Sequence, residues 1–191
     1  MQHPMPPTPL ETDKTVLEEN FNSLIHAQLI LCLGECVEQA LFLADKGLNV
    51  EVLHHDSHVL LNVRKRAKEH YTHIKARHTL FDRWKPSMEY DAIVCYHFPR
   101  DKQHQKTLFE KSFEALRPKG LFIAELLSES HHHFKSGGEH NLNLLYNFND
   151  VLSIIASLPC ETLKLAQEIV LLPDIGRASV IRMVLRKKAE H

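Results

Sequence analysis

The chain is predicted to fold as an α/β domain with a doubly wound, mostly parallel, seven-stranded sheet. Between residues 28 and 127, short apolar runs typical of strands buried on both faces alternate with segments of helical periodicity. Right-handed crossovers place the helices on both faces of such a sheet. Two final strand-like runs, 163–172 and 178–186, are separated by only five residues. That gap is too short for a parallel crossover but suits a hairpin, so the last strand should run antiparallel to its neighbour.

Length and composition indicate one folded domain of ordinary globular type. The chain has 191 residues, of which 43% are hydrophobic and 25% charged, enough to bury a sizeable core. Its formal net charge is −1, so no global field favours a nucleic acid or an anionic membrane. No apolar run approaches the ~20 residues that span a bilayer. We therefore expect no nucleic-acid partner and no membrane.

The cysteines and the first residues predict a cytoplasmic protein. The four cysteines contain no CxxC pair, and three of them lie in or beside apolar runs, as buried free thiols do. No signal peptide is expected at the start of the chain. A reducing cytoplasm is therefore predicted, and a disulfide scaffold is not.

Two regions are predicted along the chain. Residues 1–11 contain four of the nine prolines and should form a flexible leader, whereas residues 12–188 form a single domain. Near the start of this domain, Thr15 and Glu18 have the spacing of a capping box. They predict a short helix that runs to about Ile25.

The first half of the domain is predicted to hold three strands joined by helices. Apolar runs predict strands at 29–33 and 50–53, and a third strand is predicted around 74–80. The helix at 38–46 has apolar residues at helical spacing, and Gly47 supplies its C-cap. The next helix begins at Asp56 or Ser57, either of which can cap it.

The second half continues the alternation and then breaks it. Strands are predicted at 90–96 and 121–127, and helices at about 101–116 and 149–158. A tight turn at 118–120, with the sequence Pro-Lys-Gly, leads into the fifth strand. The two final runs form the hairpin around residues 173–177.

Three segments resemble the class I S-adenosylmethionine-dependent methyltransferases. They are 89–94 (EYDAIV), 115–121 (ALRPKGL) and 176–182 (GRASVIR); the second resembles the L(K/R)PGG turn before strand five. The resemblance covers residues 29–187 and is nearest to the tellurite-resistance and thiopurine-methyltransferase-like branch. It implies the Rossmann-like methyltransferase fold, S-adenosylmethionine as cofactor, and a transferase that methylates a small molecule.

The loop after the first strand is where the resemblance places the cofactor. The family pattern is Asp/Glu-x-Gly-x-Gly-x-Gly, and the corresponding residues here run from Cys32 to Glu38, with Gly34 retained. Cys36 and Glu38 occupy the other two glycine positions. A Cβ there is expected to strain the backbone by about 1 kcal/mol or more, or to fill the ligand's space. Cys36 has two interpretations, a thiolate activated at a helix N-terminus or a glycine that drifted.

The remaining contacts implied by the resemblance lie beyond the carboxyl ends of the strands, where ligands of open α/β sheets bind. Cofactor-binding residues are then Gly34, Glu35, Cys36 and Glu38 in the loop, His54 or Asp56 near the ribose, Leu80, Phe81 and Asp82 near the adenine, and Tyr96. Substrate-binding residues are His97, Phe98 and Arg177. No catalytic residue is assigned, since methyl transfer needs little beyond proximity and alignment.

Several of these residues have plainer interpretations that remain open. His97 can orient a substrate or act as a base, or it can simply cap the helix after Pro99. Arg177 and Arg182 match arginines of the family, but a solvated turn and a salt bridge at the rim of the sheet also explain them. The histidines at 131–133 are interpreted as a flexible, solvated loop, and no metal site is predicted. The same segment resembles the family loop after strand five, which often carries paired glycines and helps to cover the substrate, and this interpretation is preferred.

Two function classes remain open at this stage. The first is a methyltransferase; the second is a catalytically inactive descendant that keeps the fold as a binding or interaction module. A dinucleotide-dependent oxidoreductase is disfavoured, because only Gly34 is present where a Gly-x-Gly-x-x-Gly loop is needed.

Overall fold

The computed structural model describes residues 13–189. Seven strands form one sheet: β1 Ile30–Gly34, β2 Val50–His54, β3 Ile74–His78, β4 Tyr90–Tyr96, β5 Leu116–Leu127, β6 Cys160–Leu172 and β7 Gly176–Lys187. Five α-helices accompany them: α1 Val16–Asn20, α2 Val37–Asp45, α3 Ser57–Glu69, α4 Lys102–Ala115 and α5 Phe148–Ala156. The leader predicted for residues 1–11 lies outside the described residues.

The strand order confirms the predicted architecture. The sheet has the order β3-β2-β1-β4-β5-β7-β6. β1 to β5 pair in parallel, whereas β7 is antiparallel to both β5 and β6. The order reverses at β1, which lies between β2 and β4. This reversal is the switch point where open α/β sheets bind their ligands.

The helices begin where short polar side chains satisfy their first N–H groups. Thr15 and Glu18 form the predicted capping box of α1, and a 3-10 turn at Phe21–Leu24 continues it. Asp56 caps α3 by accepting a hydrogen bond from the His58 N–H at 2.8 Å. Asp101 caps α4 in the same way. These contacts span two or three residues, which explains why the sequence predicts them well.

The fifth strand departs from its prediction. It begins at Leu116, five residues before the predicted start, and the Pro-Lys-Gly turn is a kink inside it. Lys119 has φ +67° there, and the pairing register with β4 jumps between Tyr90 and Ala92. A Cβ on Gly120 would lie 2.8 Å from the Arg117 carbonyl oxygen. The chain thus turns tightly, as predicted, and yet keeps pairing with β4 on both sides of the turn.

The sheet is covered on both faces, as an alternating β/α order requires. Ile30 and Cys32 of β1 pack in one hydrophobic cluster with residues of α1, α2 and α3. Leu31 and Leu33 pack in the other, with α4 and α5. Both faces of β1 are therefore buried, which is why its sequence is a continuous apolar run.

Between residues 13 and 189, no helix is both long and apolar enough to cross a bilayer.

Candidate functional site

A cavity of about 830 Å³ opens beyond the carboxyl ends of β1, β4 and β5. Its walls come from five places: α1 with the segment leading into it, the loop between β1 and α2 with the first turns of α2, Asn62 of α3, the ends of β4 and β5, and the turn between β6 and β7. Its volume lies within the range of small-molecule sites. The cavity is therefore the leading candidate for a ligand site.

The lining of this cavity is acidic. No lysine or arginine belongs to the lining described for it, and six carboxylates do: Asp13, Glu18, Glu35, Glu38, Glu125 and Asp174. Tyr96 and His97 also line it. An excess of carboxylates concentrates cations in a cleft and disfavours anionic ligands.

Gly34 is required by packing between strands. It has φ +77°, and a Cβ added to it would lie 2.2 Å from the Tyr96 carbonyl oxygen and 2.9 Å from the Phe98 Cβ. The next N–H, that of Glu35, donates to the same Tyr96 carbonyl at 2.8 Å. The loop after β1 is thus held against the end of β4, and only glycine fits at its first position.

The strain expected at Cys36 is absent. Its φ is −118°, an ordinary value for any residue. The side chain is buried in the cluster beneath α2, and this burial, with Cys32 nearby, raises the pKa of the thiol. The interpretation of Cys36 as a reactive thiolate is therefore not supported. Cys36 does not belong to the lining of the cavity.

Glu38 lies at the rim of the cavity in the first turn of α2. Its carboxylate forms a two-bond ion pair with the Arg66 guanidinium of α3, one bond being 3.0 Å. This pair raises the pKa of Arg66. Glu38 therefore joins α2 to α3 where the family pattern has a glycine.

Near the end of β2, Glu35 of the loop after β1 lines the cavity, whereas His54 and Asp56 do not. The His54 Nδ1 accepts a hydrogen bond from the Asp56 N–H at 2.9 Å, and its Nε2 lies 3.8 Å from the Glu35 Oε1. His54 is buried, and Asp56 is engaged as the cap of α3. The interaction with His54 lowers the pKa of Glu35, although partial burial acts in the opposite direction.

The residues after β3 lie apart from the cavity. Leu80 is exposed, whereas Phe81 is buried and its ring contacts those of Trp84 and Phe98. Asp82 is paired with Arg100 at 2.6 Å, which lowers the pKa of Asp82. Of the residues assigned to the adenine by resemblance, none lines the cavity.

His97 has an unusual backbone and an unsatisfied ring atom. Its φ is +42°, in the left-handed region that few residues other than glycine adopt. The N–H donates to the Glu125 carbonyl oxygen at 2.8 Å, and the ring Nε2 lies 3.4 Å from the Glu125 Oε1. The Nδ1 is buried without a hydrogen-bond partner. Asp101 caps the next helix, so the capping role considered for His97 is wrong.

Glu125 is a functional candidate that the sequence reasoning missed. It lies inside β5, fully buried, and its Oε2 accepts a hydrogen bond from the Arg182 Nε at 2.8 Å, while Oε1 has no hydrogen-bond partner. The sequence did contain one signal for it: a single glutamate interrupts an otherwise apolar predicted strand. Because charged residues are rarely buried without a partner, such a glutamate indicates a paired or functional side chain. The pair also corrects one interpretation: Arg182 is 3% exposed and lies in the interior, away from the rim.

The charge state of Arg182 follows from its neighbours. Burial would lower its pKa, but Glu125, Glu168 and Glu19 act in the opposite direction and raise it above the ordinary value. The guanidinium is therefore positive, and it balances the buried charge of Glu125 beneath the cavity.

Arg177 and Phe98 border the site without lining the cavity. The Arg177 guanidinium lies 5.8 Å from the centre of the Phe134 ring. The Phe98 ring contacts the Arg100 guanidinium and packs on the inner cluster. Of the three residues predicted to bind substrate, the structure places His97 alone at the cavity wall.

The histidine segment is ordered, which corrects the prediction of a flexible solvated loop. Residues Glu129–His133 form a 3-10 turn, and His131 is buried. Its Nε2 lies 2.9 Å from the Gly137 carbonyl oxygen, and its ring stacks on those of His140 and Phe134. Burial lowers the pKa of His131. Within residues 13–189, no group of three or more histidine, cysteine or acidic side chains is arranged to hold a metal ion.

Comparison with known proteins supports the fold. No protein-family model matches the sequence, and no curated protein matches it. TehB from Haemophilus influenzae matches with a TM-score of 0.73 and 14% identity, over 91% of this chain and 61% of that chain. An S-adenosylmethionine-dependent methyltransferase from Methanosarcina mazei matches with a TM-score of 0.72 and 13% identity, over 89% and 97%.

A third solved structure contains a ligand. The glycopeptide N-methyltransferase MtfA, complexed with S-adenosyl-L-homocysteine, matches with a TM-score of 0.65 and 13% identity, over 92% of this chain and 90% of that chain. The chain spans less than two thirds of TehB but most of the other two. With the seven-stranded order described above, these matches confirm the predicted architecture: the chain has the fold of the class I S-adenosylmethionine-dependent methyltransferases.

Proposed function

We propose that this protein is an S-adenosylmethionine-dependent methyltransferase that acts on a small molecule. The observation that carries the proposal is the acid-lined cavity at the switch point of a methyltransferase fold. S-adenosylmethionine has a positive sulfonium, a positive ammonium and one carboxylate, so its net charge is positive. A cavity lined by six carboxylates complements that charge.

The start of α2 is suited to the carboxylate of the cofactor. Cys36 makes no side-chain hydrogen bond to the first turn of α2, so this end of the helix is not capped from within. Val37, Glu38 and Gln39 of that turn line the cavity. Helix N-termini bind anionic groups through their free N–H groups and their dipole. When bound, the cofactor supplies an electrophilic methyl group.

His97 and Glu125 are suited to the acceptor. Both present a buried polar atom without a partner, Nδ1 of His97 and Oε1 of Glu125, and such atoms are rare in folded proteins. The His97 ring can accept a proton from the methyl acceptor, and the Glu125 Oε1 lies 3.4 Å from the ring Nε2. A hydroxyl, thiol or amine that bound here would complete the hydrogen bonding of this wall.

Calorimetric titration with S-adenosylmethionine and S-adenosylhomocysteine tests the proposal. We expect saturable binding of both in the micromolar range. Absence of heat, together with no thermal shift at millimolar ligand, would contradict the methyltransferase assignment. Adenosine is the matched control: it lacks the amino-acid part, so the contact proposed at α2 predicts weaker binding than that of S-adenosylhomocysteine.

The alternative, an inactive binding module, makes a different prediction. Glu38 lies at the cavity rim where the family has glycine. If its side chain blocks the cofactor, Glu38→Gly will bind S-adenosylhomocysteine and the wild type will not. Cys36→Gly is the matched control and should change nothing, because Cys36 lies beneath the helix and does not line the cavity.

A further inference from the structure

We propose that Glu35 supplies the carboxylate that binds the ribose hydroxyls of the cofactor. The inference rests on the proposed function and assigns a binding role to one side chain. A vicinal diol presents two O–H donors, and an ionised carboxylate offers two acceptor oxygens at matching separation. The strand β2 ends in His54, which is not a double acceptor, so the carboxylate has to come from elsewhere.

The position of Glu35 meets the geometric requirement. Glu35 follows Gly34 directly, and its N–H is fixed to the Tyr96 carbonyl oxygen at 2.8 Å, so the residue sits at the switch point between β2 and β4. Its side chain lines the cavity and remains 62% exposed. The backbone is thus held rigidly while the carboxylate faces the ligand space.

The tautomer of His54 explains how the carboxylate is oriented. The His54 Nδ1 accepts a hydrogen bond from the Asp56 N–H, so in the neutral ring the proton is on Nε2. That Nε2–H faces the Glu35 Oε1 at 3.8 Å. At 3.8 Å this contact is electrostatic and longer than a hydrogen bond, and an N–H directed at the carboxylate favours its ionised form. The lowered pKa of Glu35 agrees with this arrangement.

The other carboxylates of the lining are engaged or lie elsewhere. Glu38 is held by Arg66 and Glu125 by Arg182. Asp13 accepts from the Leu171 N–H, and Glu18 completes the capping box of α1. Asp174 belongs to the turn between β6 and β7, whereas Glu35 directly follows β1, the strand at the switch point.

Asp56 is the competing candidate at the end of β2. Its Oδ1 accepts from the His58 N–H at 2.8 Å as the cap of α3, and the residue does not line the cavity. Among the described residues, the charged group within 4 Å of the Glu35 carboxylate is the His54 ring, whose Nε2 lies 3.8 Å from Oε1. Glu35 is therefore a carboxylate at the switch point whose Oε1 has one long contact with His54 and whose Oε2 can still accept hydrogen bonds.

Calorimetric titration of four proteins with S-adenosylhomocysteine tests the assignment: wild type, Glu35→Gln, Asp56→Asn and Glu161→Gln. We expect Glu35→Gln to weaken binding about tenfold or more, because hydrogen bonds to a charged group are lost. Asp56→Asn keeps a capping residue and should bind within twofold of wild type. Glu161→Gln removes the same charge from an exposed glutamate at the end of β6 opposite the cavity. It therefore measures the effect of net charge alone on binding. Thermal unfolding of each variant verifies folding.

The 2′-deoxy analogue of S-adenosylhomocysteine separates ribose recognition from general electrostatics. In wild type, removal of the 2′-hydroxyl should weaken binding, and in Glu35→Gln it should cause little further loss. Equal binding by wild type and Glu35→Gln would overturn the role of Glu35 and leave the proposed function standing. Loss in Asp56→Asn alone would transfer the role to Asp56. Failure of the wild type to bind would remove the proposed function, and this inference with it.

Discussion

At the scale of single residues, packing determines which amino acid is tolerated at some positions of the site, and charge pairing determines it at others. Gly34 is needed because the β4 backbone passes within 2.2 Å of the place where a Cβ would be. Glu125 and Arg182 are needed together, because each neutralises a charge that is buried in the sheet. Retention of Gly34 is therefore explained by the fold alone, and the case for a ligand depends on the carboxylates and on His97.

Gly34→Ala should destabilise the fold by about 3 kcal/mol or more. The left-handed backbone costs about 1–2 kcal/mol for a residue with a Cβ, and the overlap with Tyr96 adds a packing penalty. Gly47→Ala is the matched control: its φ is +82°, but a Cβ there meets nothing within 4 Å. Urea unfolding measures both, and equal losses would show that the approach to β4 is unimportant.

Arg182→Met should cost about 3–5 kcal/mol of stability, because it leaves the Glu125 charge buried without its partner. Arg186→Met is the control on the same strand, where the pair with Glu161 is exposed and worth about 1 kcal/mol or less. Guanidinium unfolding compares the two variants. Similar losses in both would mean that Glu125 is not charged in the folded protein.

At the scale of elements, α1 forms part of the cavity wall although it has only five residues. So short a helix is not stable alone, and tertiary contacts must hold it in place. Val16 and Leu17 are buried against the sheet, and the Leu17 N–H donates to the Tyr96 hydroxyl at 3.0 Å. One side chain at the end of β4 thus connects the N-terminal wall to the switch point.

Tyr96→Phe should destabilise the protein by about 1–3 kcal/mol, since the buried Leu17 N–H loses its acceptor. Hydrogen exchange at the Leu17 amide should accelerate more than exchange in the β4 strand. Tyr71→Phe is the control, because Tyr71 is 99% exposed and its hydroxyl should contribute nothing measurable. Unchanged exchange at Leu17 in Tyr96→Phe would show that α1 is held by its apolar contacts alone.

At the scale of the whole molecule, stability should depend on pH through the buried His131. Burial lowers its pKa below the ordinary value of 6.5, so protonation favours the unfolded chain. The stabilising contribution is complete above pH 6.5 and is lost as the pH falls toward the folded-state pKa. Carboxylates with lowered pKa values, such as Glu35 and Glu129, lose their contribution only at lower pH, below about 4.5.

The difference in Tm between pH 7.5 and pH 5.5 should therefore be smaller in His131→Gln than in wild type. His133→Gln is the matched control, because His133 is exposed in the same 3-10 turn. It should show the wild-type difference. Equal pH dependence in all three proteins would mean that the acid sensitivity has another origin.

The prediction from sequence succeeded for elements and was weaker for the site. β4 was predicted with its observed ends, and Thr15 and Asp56 were both predicted as capping residues, because these features depend on residues a few positions apart. The unstrained backbone and buried side chain of Cys36 were not anticipated, and neither was the burial of His131. Both depend on which distant segment covers the side chain, and the sequence carries no local signal for that.

What the sequence by itself determined is the architecture: alternating strands and helices, a hairpin at the end, and a switch point at β1. Periodicity, caps and loop lengths are local, so they can be read one segment at a time. The tertiary structure alone decided the composition of the cavity, the pairing of Glu125 with Arg182, and the placement of Glu35 beside His54. Those contacts join separate strands and loops, and they exist only because the folded sheet brings its carboxyl ends together.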